Sequence, residues 1–87
     1  MYKISELAQL SGVSTRTLRY YDEIGLLKPA QVGENGYRGY DSEQVDRLQE
    51  ILFYRQLGMP LEEIRNLLDT ASYDREKSLQ LHLSVLK

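Results

Sequence analysis

The segment between positions 14 and 27, STRTLRYYDEIGLL, carries arginine, hydroxyl and phenol groups at helical spacing. On a helix, four polar side chains would share one side: Thr15, Arg16, Arg19 and Tyr20. The opposite side would be apolar: Leu18, Tyr21 and Ile24. Guanidinium groups pair bidentately with guanine or clamp phosphate oxygens. The pattern therefore predicts a helix that packs through its apolar side and presents its cationic side to a polyanion.

Within this segment, the spacing assigns different roles to different residues. Tyr21 is interpreted as a core side chain, with contact to the polyanion as the alternative. Thr15 is a candidate hydroxyl donor to phosphate, and Thr17 is either a second donor or a packed side chain. Glu23 follows Arg19 by four residues, so an ion pair within the helix is expected to orient that arginine.

The composition limits the classes of protein to consider. A chain of 87 residues forms one domain with at most an appended helix. It has no cysteine and a single histidine, His82, so disulfides and thiolate metal sites are excluded and no metal or cofactor is expected within the chain. No apolar run approaches the roughly 18 residues of a membrane span, and MYKISELA does not resemble a signal peptide. We expect a soluble cytoplasmic protein.

The charge is unevenly distributed along the chain. The formal net charge is -2, which argues against a general nucleic-acid binder. However, residues 1–40 hold five Lys/Arg and four Asp/Glu, whereas residues 41–87 hold six and nine. A specific binder needs basic side chains on one face rather than a basic total, so the first half remains a candidate.

Two short helices separated by a glycine break are predicted at the start of the chain. Ser5 is a candidate N-cap, Leu7 and Ala8 face inwards, and Gly12 ends the first helix. The second helix is predicted to begin after Ser14 and to continue to about Ile24, with Gly25 and Pro29 preventing its extension. Helix, three-residue break and helix form the helix-turn-helix pattern, and an ordinary helical hairpin is the alternative.

A hairpin is predicted between the second and third helices. Asn35-Gly36 is a strong signal for a type I′ turn, in which both central residues need positive φ. Val32 on one side and Tyr37 and Tyr40 on the other would form short strands, typical of a wing. The segment from Tyr2 to Ile4 is a candidate third strand.

Two further helices and a short apolar seam complete the pattern. Asp41 or Ser42 is expected to cap the third helix, with Gln44 closing a capping box, and the helix extends to about Leu57. Pro60 lies in the first turn of the fourth helix. The expected core positions of these two helices are Val45, Leu48, Ile51, Leu52, Leu61, Ile64, Leu67 and Leu68. From Asp74 onwards the apolar spacing resembles the beginning of a coiled-coil seam: Leu79, Leu83 and Leu86.

Three motifs in this order resemble the MerR family of bacterial transcription regulators: ISELAQLSGVSTRTLRYYDEIGLLKP, GYRGY and LQEILFYRQLGMPLEEI. They cover about residues 3–70. The later stretch LLDTASYDREKSL is more similar to the drug- and antibiotic-responsive TipA-like branch than to the metal sensors. The resemblance implies a mainly α winged helix-turn-helix domain over residues 1–70. Residues 71–87 would then be a linker and the beginning of a dimerisation helix, in a chain expected to be a fragment.

The resemblance also implies a mechanism. The family binds a promoter operator as a homodimer, joined here through a helix that begins near Asp74. It bends and untwists the DNA spacer so that RNA polymerase can engage both promoter elements. The effector would bind beyond residue 87, so the residues present do not identify it. The operator sequence and the target genes are not predicted either.

Individual DNA contacts follow from the same resemblance. Tyr20 would donate its hydroxyl to the DNA backbone near the operator centre, and Tyr37 and Arg38 match the phosphate-contacting pair of the wing. Arg55 matches a basic backbone-contacting position of the third helix, with a solvated surface arginine as the alternative. Relatives often carry another basic residue just after the proline, where this chain has Ala30 and Gln31. Arg47 and Arg65 are interpreted as solvated or paired with acids.

Three other classes of function remain to be weighed. An excisionase-like architectural protein would bend DNA without regulating a promoter, but the fourth helix and the leucine seam argue against so minimal a protein. An enzyme is disfavoured because the sequence shows no nucleophile–base pair, phosphate loop or metal cluster. A helical protein–protein adaptor would leave the arginine, threonine and tyrosine face unexplained.

Overall fold

A computed structural model describes residues 1–70 of the chain, so the predicted dimerisation helix lies outside the described residues. Its elements follow in this order: β1 (Tyr2–Lys3), α1 (Ile4–Ser11), α2 (Thr15–Glu23), β2 (Gln31–Val32), β3 (Arg38–Tyr40) and α3 (Ser42–Gln56). A further helix, α4, covers residues 61–70. The fold is mainly α with one small antiparallel sheet, which confirms the predicted winged helix-turn-helix class.

The turn between α1 and α2 forms as the sequence predicts. Gly12 ends α1 in the left-handed region with φ 72°, a conformation that a residue with a Cβ adopts only at a cost. The backbone amide of Val13 donates to the carbonyl of Ala8 at 3.1 Å, which closes the helix end. Ser14 then caps α2, because its Oγ accepts from the amide of Thr17 at 3.0 Å.

The prediction that Ser5 caps α1 is wrong. The N-cap is Lys3, and α1 already begins at Ile4. The lysine side chain has no acceptor, so it cannot accept from a helix amide as a serine hydroxyl would. Instead, the Lys3 backbone amide donates to Glu6 Oε1 at 2.9 Å. The cause is strand β1. It pairs with β3 up to Lys3, so the chain passes from strand to helix without a linker.

The wing is a three-stranded antiparallel sheet with β3 in the centre. Tyr2 lies opposite Tyr40 in the β1–β3 pair, and Val32 lies opposite Arg38 in the β2–β3 pair. The predicted third strand is therefore present at Tyr2–Lys3, whereas Ile4 belongs to α1. Because β1 leads directly into α1, the sheet joins the wing to the helix-turn-helix unit.

The turn of the wing differs from the predicted type I′ turn. Gly36 has φ 81°, but no residue other than glycine has positive φ among residues 1–70, so Asn35 does not meet the type I′ requirement. The Gly36 amide donates to the Gly33 carbonyl at 2.9 Å, and the Gly33 amide donates to the Tyr37 carbonyl at 2.8 Å. This is a three-residue loop, in which a tight turn is followed by a left-handed glycine that forms a bulge. The glycine therefore follows the turn instead of occupying its centre.

One apolar core joins the helices and the sheet. Its buried residues are Leu7, Ala8, Leu18, Tyr21, Leu26, Leu27, Tyr40, Leu48, Ile51, Ile64 and Leu68. Most predicted core positions are confirmed, with Val45, Leu52 and Leu61 partly buried against the same cluster. Leu67 is the exception, since it is 41% exposed. Within residues 1–70, no helix combines the length and apolarity needed to cross a bilayer.

The third helix begins with the capping box that the sequence predicts. Asp41 is the N-cap, and its Oδ1 accepts from the Glu43 amide at 3.1 Å. In return, Gln44 Oε1 accepts from the Asp41 amide at 3.0 Å. The box directs the chain from the end of β3 into α3, which places α3 beside the sheet.

Candidate nucleic-acid interface

The outward face of α2 combines cationic and hydroxyl groups on a firmly packed helix. Arg16 and Arg19 are exposed, and Tyr20 is 49% exposed. On the inner face Leu18 is fully buried and Tyr21 is 1% exposed, so the tyrosine belongs to the core as interpreted from the sequence. Packing on one side therefore holds the polar side of the helix in a fixed orientation.

The two threonines of α2 lie at the margin of this face. Both are half-buried, in contrast to the exposed arginines. The hydroxyl of Thr17 lies 2.9 Å from Ser14 Oγ, so it forms part of the N-terminal cap. Thr15 is the first residue of α2, adjacent to that cap. Of the two, Thr15 is the better candidate for a phosphate contact because the Thr17 hydroxyl already has a partner.

The expected ion pair between Arg19 and Glu23 is absent. Among residues 1–70, ion pairs form only at Lys28–Asp22, Arg38–Asp22 and Arg47–Asp69. The helical spacing brings the Arg19 and Glu23 side chains within reach of each other, but both are exposed and solvated. Arg19 therefore keeps its whole guanidinium available on the outer face of α2.

A cluster of three charges joins α2 to the wing. Arg38 of β3 donates through Nε to Asp22 Oδ2 at 3.1 Å, and Lys28 Nζ lies 3.8 Å from Asp22 Oδ1. The Asp22 and Arg38 side chains are 20% and 29% exposed, whereas that of Lys28 is 71% exposed. Asp22 thus fixes the position of the wing arginine, while the lysine remains extended into solvent.

Tyr40 follows Arg38 by two residues on β3. Its side chain is fully buried, and its hydroxyl has no hydrogen-bond partner among residues 1–70. Burial raises the pKa of the phenol above its ordinary value of 10.0; Arg38 opposes the rise, Asp22 adds to it and Arg19 opposes it. The charges of a helix arginine, a wing arginine and an acid thus act on the pKa of one buried phenol.

Arg55 of α3 is also held by α2. Its Nη1 donates to the hydroxyl of Tyr21 at 3.1 Å. Arg55 is exposed, as a solvated surface arginine would be, but one of its guanidinium nitrogens is bonded to a core tyrosine. The contact gives the core tyrosine a polar role as well, because its ring packs inside while its hydroxyl positions a cation.

Two other arginines stabilise the end of α2 instead. Arg47 Nε donates to the Leu26 carbonyl at 2.7 Å, and its Nη2 lies 2.8 Å from Asp69 Oδ1. Arg65 Nη1 donates to the Ile24 carbonyl at 3.0 Å. Within residues 1–70 an acidic partner is present for Arg47 but not for Arg65, whose partner there is a backbone carbonyl. Cations are favourable at the negative end of a helix, where carbonyls lack intrahelical partners.

Sequence reasoning missed Asp22 and Lys28 as members of the candidate interface. Asp22 and Arg38 are 16 residues apart, and no periodicity connects them. Lys28 directly precedes Pro29, so an exposed cation is present next to the place where Ala30 and Gln31 lack one. The only local signal is that Lys28 and Asp22 have opposite charge and flank the glycine turn.

The structure brings some predicted site residues together and leaves others apart. Arg38 and Arg55 are both joined to α2 by hydrogen bonds. Tyr37 is 63% exposed at the edge of the wing, where its backbone amide donates to Asn35 Oδ1 at 3.3 Å and its carbonyl accepts from the Gly33 amide. Arg16 forms no ion pair with any residue in the part of the chain that the structure describes.

Comparison with known proteins identifies the family. Residues 2–71 match the model of the MerR HTH family regulatory protein, which is most of the chain. The chain belongs to the MerR family. It is 50% identical over 80 residues to the HTH-type transcriptional regulator SkgA of Caulobacter vibrioides, covering 92% of this chain and 31% of SkgA. It is 46% identical over 79 residues to the transcriptional activator TipA of Streptomyces coelicolor, covering 91% and 31%.

Solved structures of similar proteins share the fold. The N-terminal part of the Bacillus subtilis multidrug transporter activator, MtaN, is 42% identical and superimposes with a TM-score of 0.78, covering 99% of this chain and 81% of that chain. EcmrR in its DNA complex is 32% identical with a TM-score of 0.77, covering 98% and 34%. The chain thus spans about a third of the length of curated relatives such as SkgA and TipA.

Proposed function

We propose that this chain is the DNA-binding part of a transcription regulator that recognises a promoter operator. The observation that carries the proposal is the outer face of α2, where Arg16, Arg19 and Tyr20 are exposed on a helix anchored by two buried residues. A helix that enters the major groove needs this combination, since its packed side sets the angle and its polar side reads bases.

The remaining contacts surround that helix. Arg16 and Arg19 enter the major groove, and Tyr20 donates to the backbone, with Thr15 and Thr17 as further hydroxyl candidates. The wing contributes Tyr37 and Arg38, and α3 contributes Arg55. Their charges provide the phosphate neutralisation that the net charge of the chain does not. Support comes from EcmrR, a relative of the same fold that was solved as a DNA complex.

The regulatory mechanism follows the family. The chain binds as a homodimer through the helix that begins near Asp74, distorts the spacer of the promoter and so changes its engagement by RNA polymerase. The effector binds beyond residue 87, and the likeness to the activator TipA and to MtaN favours a drug or antibiotic response over metal sensing. The protein acts in the bacterial cytoplasm, is not an enzyme and needs no cofactor within these residues.

The test begins with operator selection. The 87-residue chain is incubated with a random duplex library, and the enriched duplex is compared with a scrambled duplex by fluorescence anisotropy. Arg16→Ala and Arg19→Ala should each weaken binding to the enriched duplex by about 1–3 kcal/mol if they read bases. Removal of an arginine that contacts only phosphate should weaken binding to both duplexes equally and lower the salt dependence of binding.

Two outcomes would contradict the proposal. If no duplex is enriched over the library, the chain does not bind DNA specifically. If both arginine variants keep the affinity of the unchanged chain for the enriched duplex, α2 is not the recognition helix. Thermal unfolding of each variant provides the control, because both side chains are exposed and their removal should leave the fold intact.

A further inference from the structure

Two arginines from outside α2 are held by consecutive residues of α2. Arg55 of α3 donates to the Tyr21 hydroxyl at 3.1 Å, and Arg38 of β3 donates to Asp22 Oδ2 at 3.1 Å. Both contacts are long-range, spanning 34 and 16 residues of the chain. The recognition helix thus has a hydrogen bond to each of the other two elements that carry candidate DNA-binding arginines.

The helix geometry explains how neighbouring residues serve different elements. Successive side chains on an α-helix point in directions that differ by about a quarter turn. Tyr21 therefore points into the core towards α3, and Asp22 points towards the wing. The Tyr21 ring is buried and the Asp22 side chain is 20% exposed, so packing restricts the movement of both acceptors.

Each contact occupies only part of the guanidinium. Arg38 uses Nε and Arg55 uses one terminal nitrogen, and neither guanidinium forms another hydrogen bond within residues 1–70. A guanidinium has five N–H groups in a rigid plane, so fixing one of them orients the others. An arginine oriented before binding loses less conformational entropy when it contacts a phosphate.

We propose that Tyr21 and Asp22 are positioning residues for DNA binding, which orient Arg55 and Arg38 for phosphate contacts. The inference rests on the proposed function and adds to it two residues that would not themselves contact the DNA. In this arrangement the DNA-binding arginines of α2, the wing and α3 form one unit that moves with the recognition helix.

Replacement of Asp22 distinguishes positioning from charge, because the two effects would change the DNA affinity in opposite directions. A carboxylate near a DNA-binding surface repels phosphate, so its removal should tighten binding if charge alone matters. If Asp22 positions Arg38, its removal should weaken binding to the enriched duplex. Asp22→Asn keeps an acceptor without the charge and should weaken binding less than Asp22→Ala.

The experiment is a pair of double-mutant cycles on the 87-residue chain with the enriched duplex. Tyr21→Phe and Asp22→Ala should each reduce affinity by about fivefold, the effect of losing one hydrogen bond. Tyr21→Phe should not reduce affinity further in the Arg55→Ala background, and Asp22→Ala should not do so in the Arg38→Ala background. A purely structural role would give the same loss in both backgrounds, which would overturn the inference.

Matched controls remove the same groups elsewhere. Tyr54→Phe deletes a phenol hydroxyl on α3, and Asp46→Asn deletes an exposed acid that forms no ion pair within residues 1–70. Both should leave affinity within about twofold, apart from a small gain from charge at Asp46. Tighter binding by Asp22→Ala, or unchanged binding by Tyr21→Phe, would refute the positioning role of that residue. Failure of the unchanged chain to enrich any duplex would instead refute the proposed function.

Discussion

At the scale of single residues, Tyr40 is fully buried, its hydroxyl has no hydrogen-bond partner among residues 1–70, and three charged side chains act on its pKa. Burial disfavours the phenolate, so the pKa in the folded chain lies above the ordinary value of 10.0. In the unfolded chain the phenol ionises near that ordinary value. The stability that depends on the neutral phenol is therefore present below pH 10 and is lost as the pH rises above it.

We expect Tyr40→Phe to remove this alkaline loss of stability. Urea unfolding between pH 8 and pH 11 should show a shallower decline of the unfolding free energy in the variant than in the unchanged chain. At pH 7 the variant should be equally stable or more stable by about 1 kcal/mol, because the deleted hydroxyl has no partner among residues 1–70.

The control for this prediction is Tyr37→Phe, which removes a phenol hydroxyl that is exposed on the wing. It should leave the dependence of stability on pH unchanged. Parallel curves for Tyr40→Phe and the unchanged chain would show that the buried phenol does not govern the alkaline transition.

At the scale of elements, the beginnings of α1 and α2 differ although each has a serine nearby. Ser14 accepts a hydrogen bond from the Thr17 amide, whereas Ser5 lies inside the first turn of α1 and is exposed. Only a residue that precedes the helix and has extended backbone angles can direct its hydroxyl to the free amides. The strand that ends at Lys3 moves this position upstream of Ser5.

Serine substitutions provide a matched test of that difference. Ser14→Ala should lower the unfolding free energy by about 1 kcal/mol through loss of the cap. Ser5→Ala should leave it unchanged or raise it slightly, since alanine has the higher helix propensity. Equal losses in both variants, measured by urea unfolding, would mean that Ser5 also caps a helix.

The turn of the wing provides a second test at this scale. Gly36 has positive φ and Asn35 does not, so only the glycine needs left-handed backbone angles. Gly36→Ala should destabilise the chain by about 1–2 kcal/mol. Asn35→Gly should also destabilise slightly by adding backbone freedom, whereas a type I′ turn would gain from it. Thermal unfolding of the two variants distinguishes these turns.

At the scale of the whole molecule, arginines from two different helices stabilise the loop that follows α2. Arg47 of α3 and Arg65 of α4 donate to the carbonyls of Leu26 and Ile24. Leu26 and Leu27 are fully buried there, so the polar backbone of the loop is satisfied where its side chains enter the core. This arrangement fixes the C-terminal end of α2 and hence its orientation relative to the wing.

Arg47→Ala should destabilise the chain by about 1–3 kcal/mol because it leaves the Leu26 carbonyl without its donor. Asp69→Asn should cost less than about 1 kcal/mol, since the Asp69 side chain is 60% exposed and its ion pair with Arg47 is largely solvated. Urea unfolding of both variants measures the difference. Equal losses would mean that the ion pair between α3 and α4, rather than the contact with the Leu26 carbonyl, accounts for the stabilisation by Arg47.

Local interactions account for the features that could be predicted. The Ser14 cap, the Gly12 break and the Asp41–Gln44 box depend on residues at most five positions apart, so residue type and spacing were sufficient. The same reason explains the correct prediction of most core positions on α3 and α4. The errors at Ser5 and in the wing turn arose where a strand or a bulge shifted the local frame by one or two residues.

By itself, the sequence determined the order of the helices, the wing and the outward face that carries Arg16 and Arg19, because helical periodicity separates polar from apolar side chains. Only the tertiary structure decided which side chains hold the other arginines. Arg38 and Arg55 reach Asp22 and Tyr21 across 16 and 34 residues, and such contacts arise from packing rather than spacing. The sequence does not distinguish an arginine that is free in solvent from one that is held by a hydrogen bond, because the partner of the second lies far away in the sequence and is brought near only by folding.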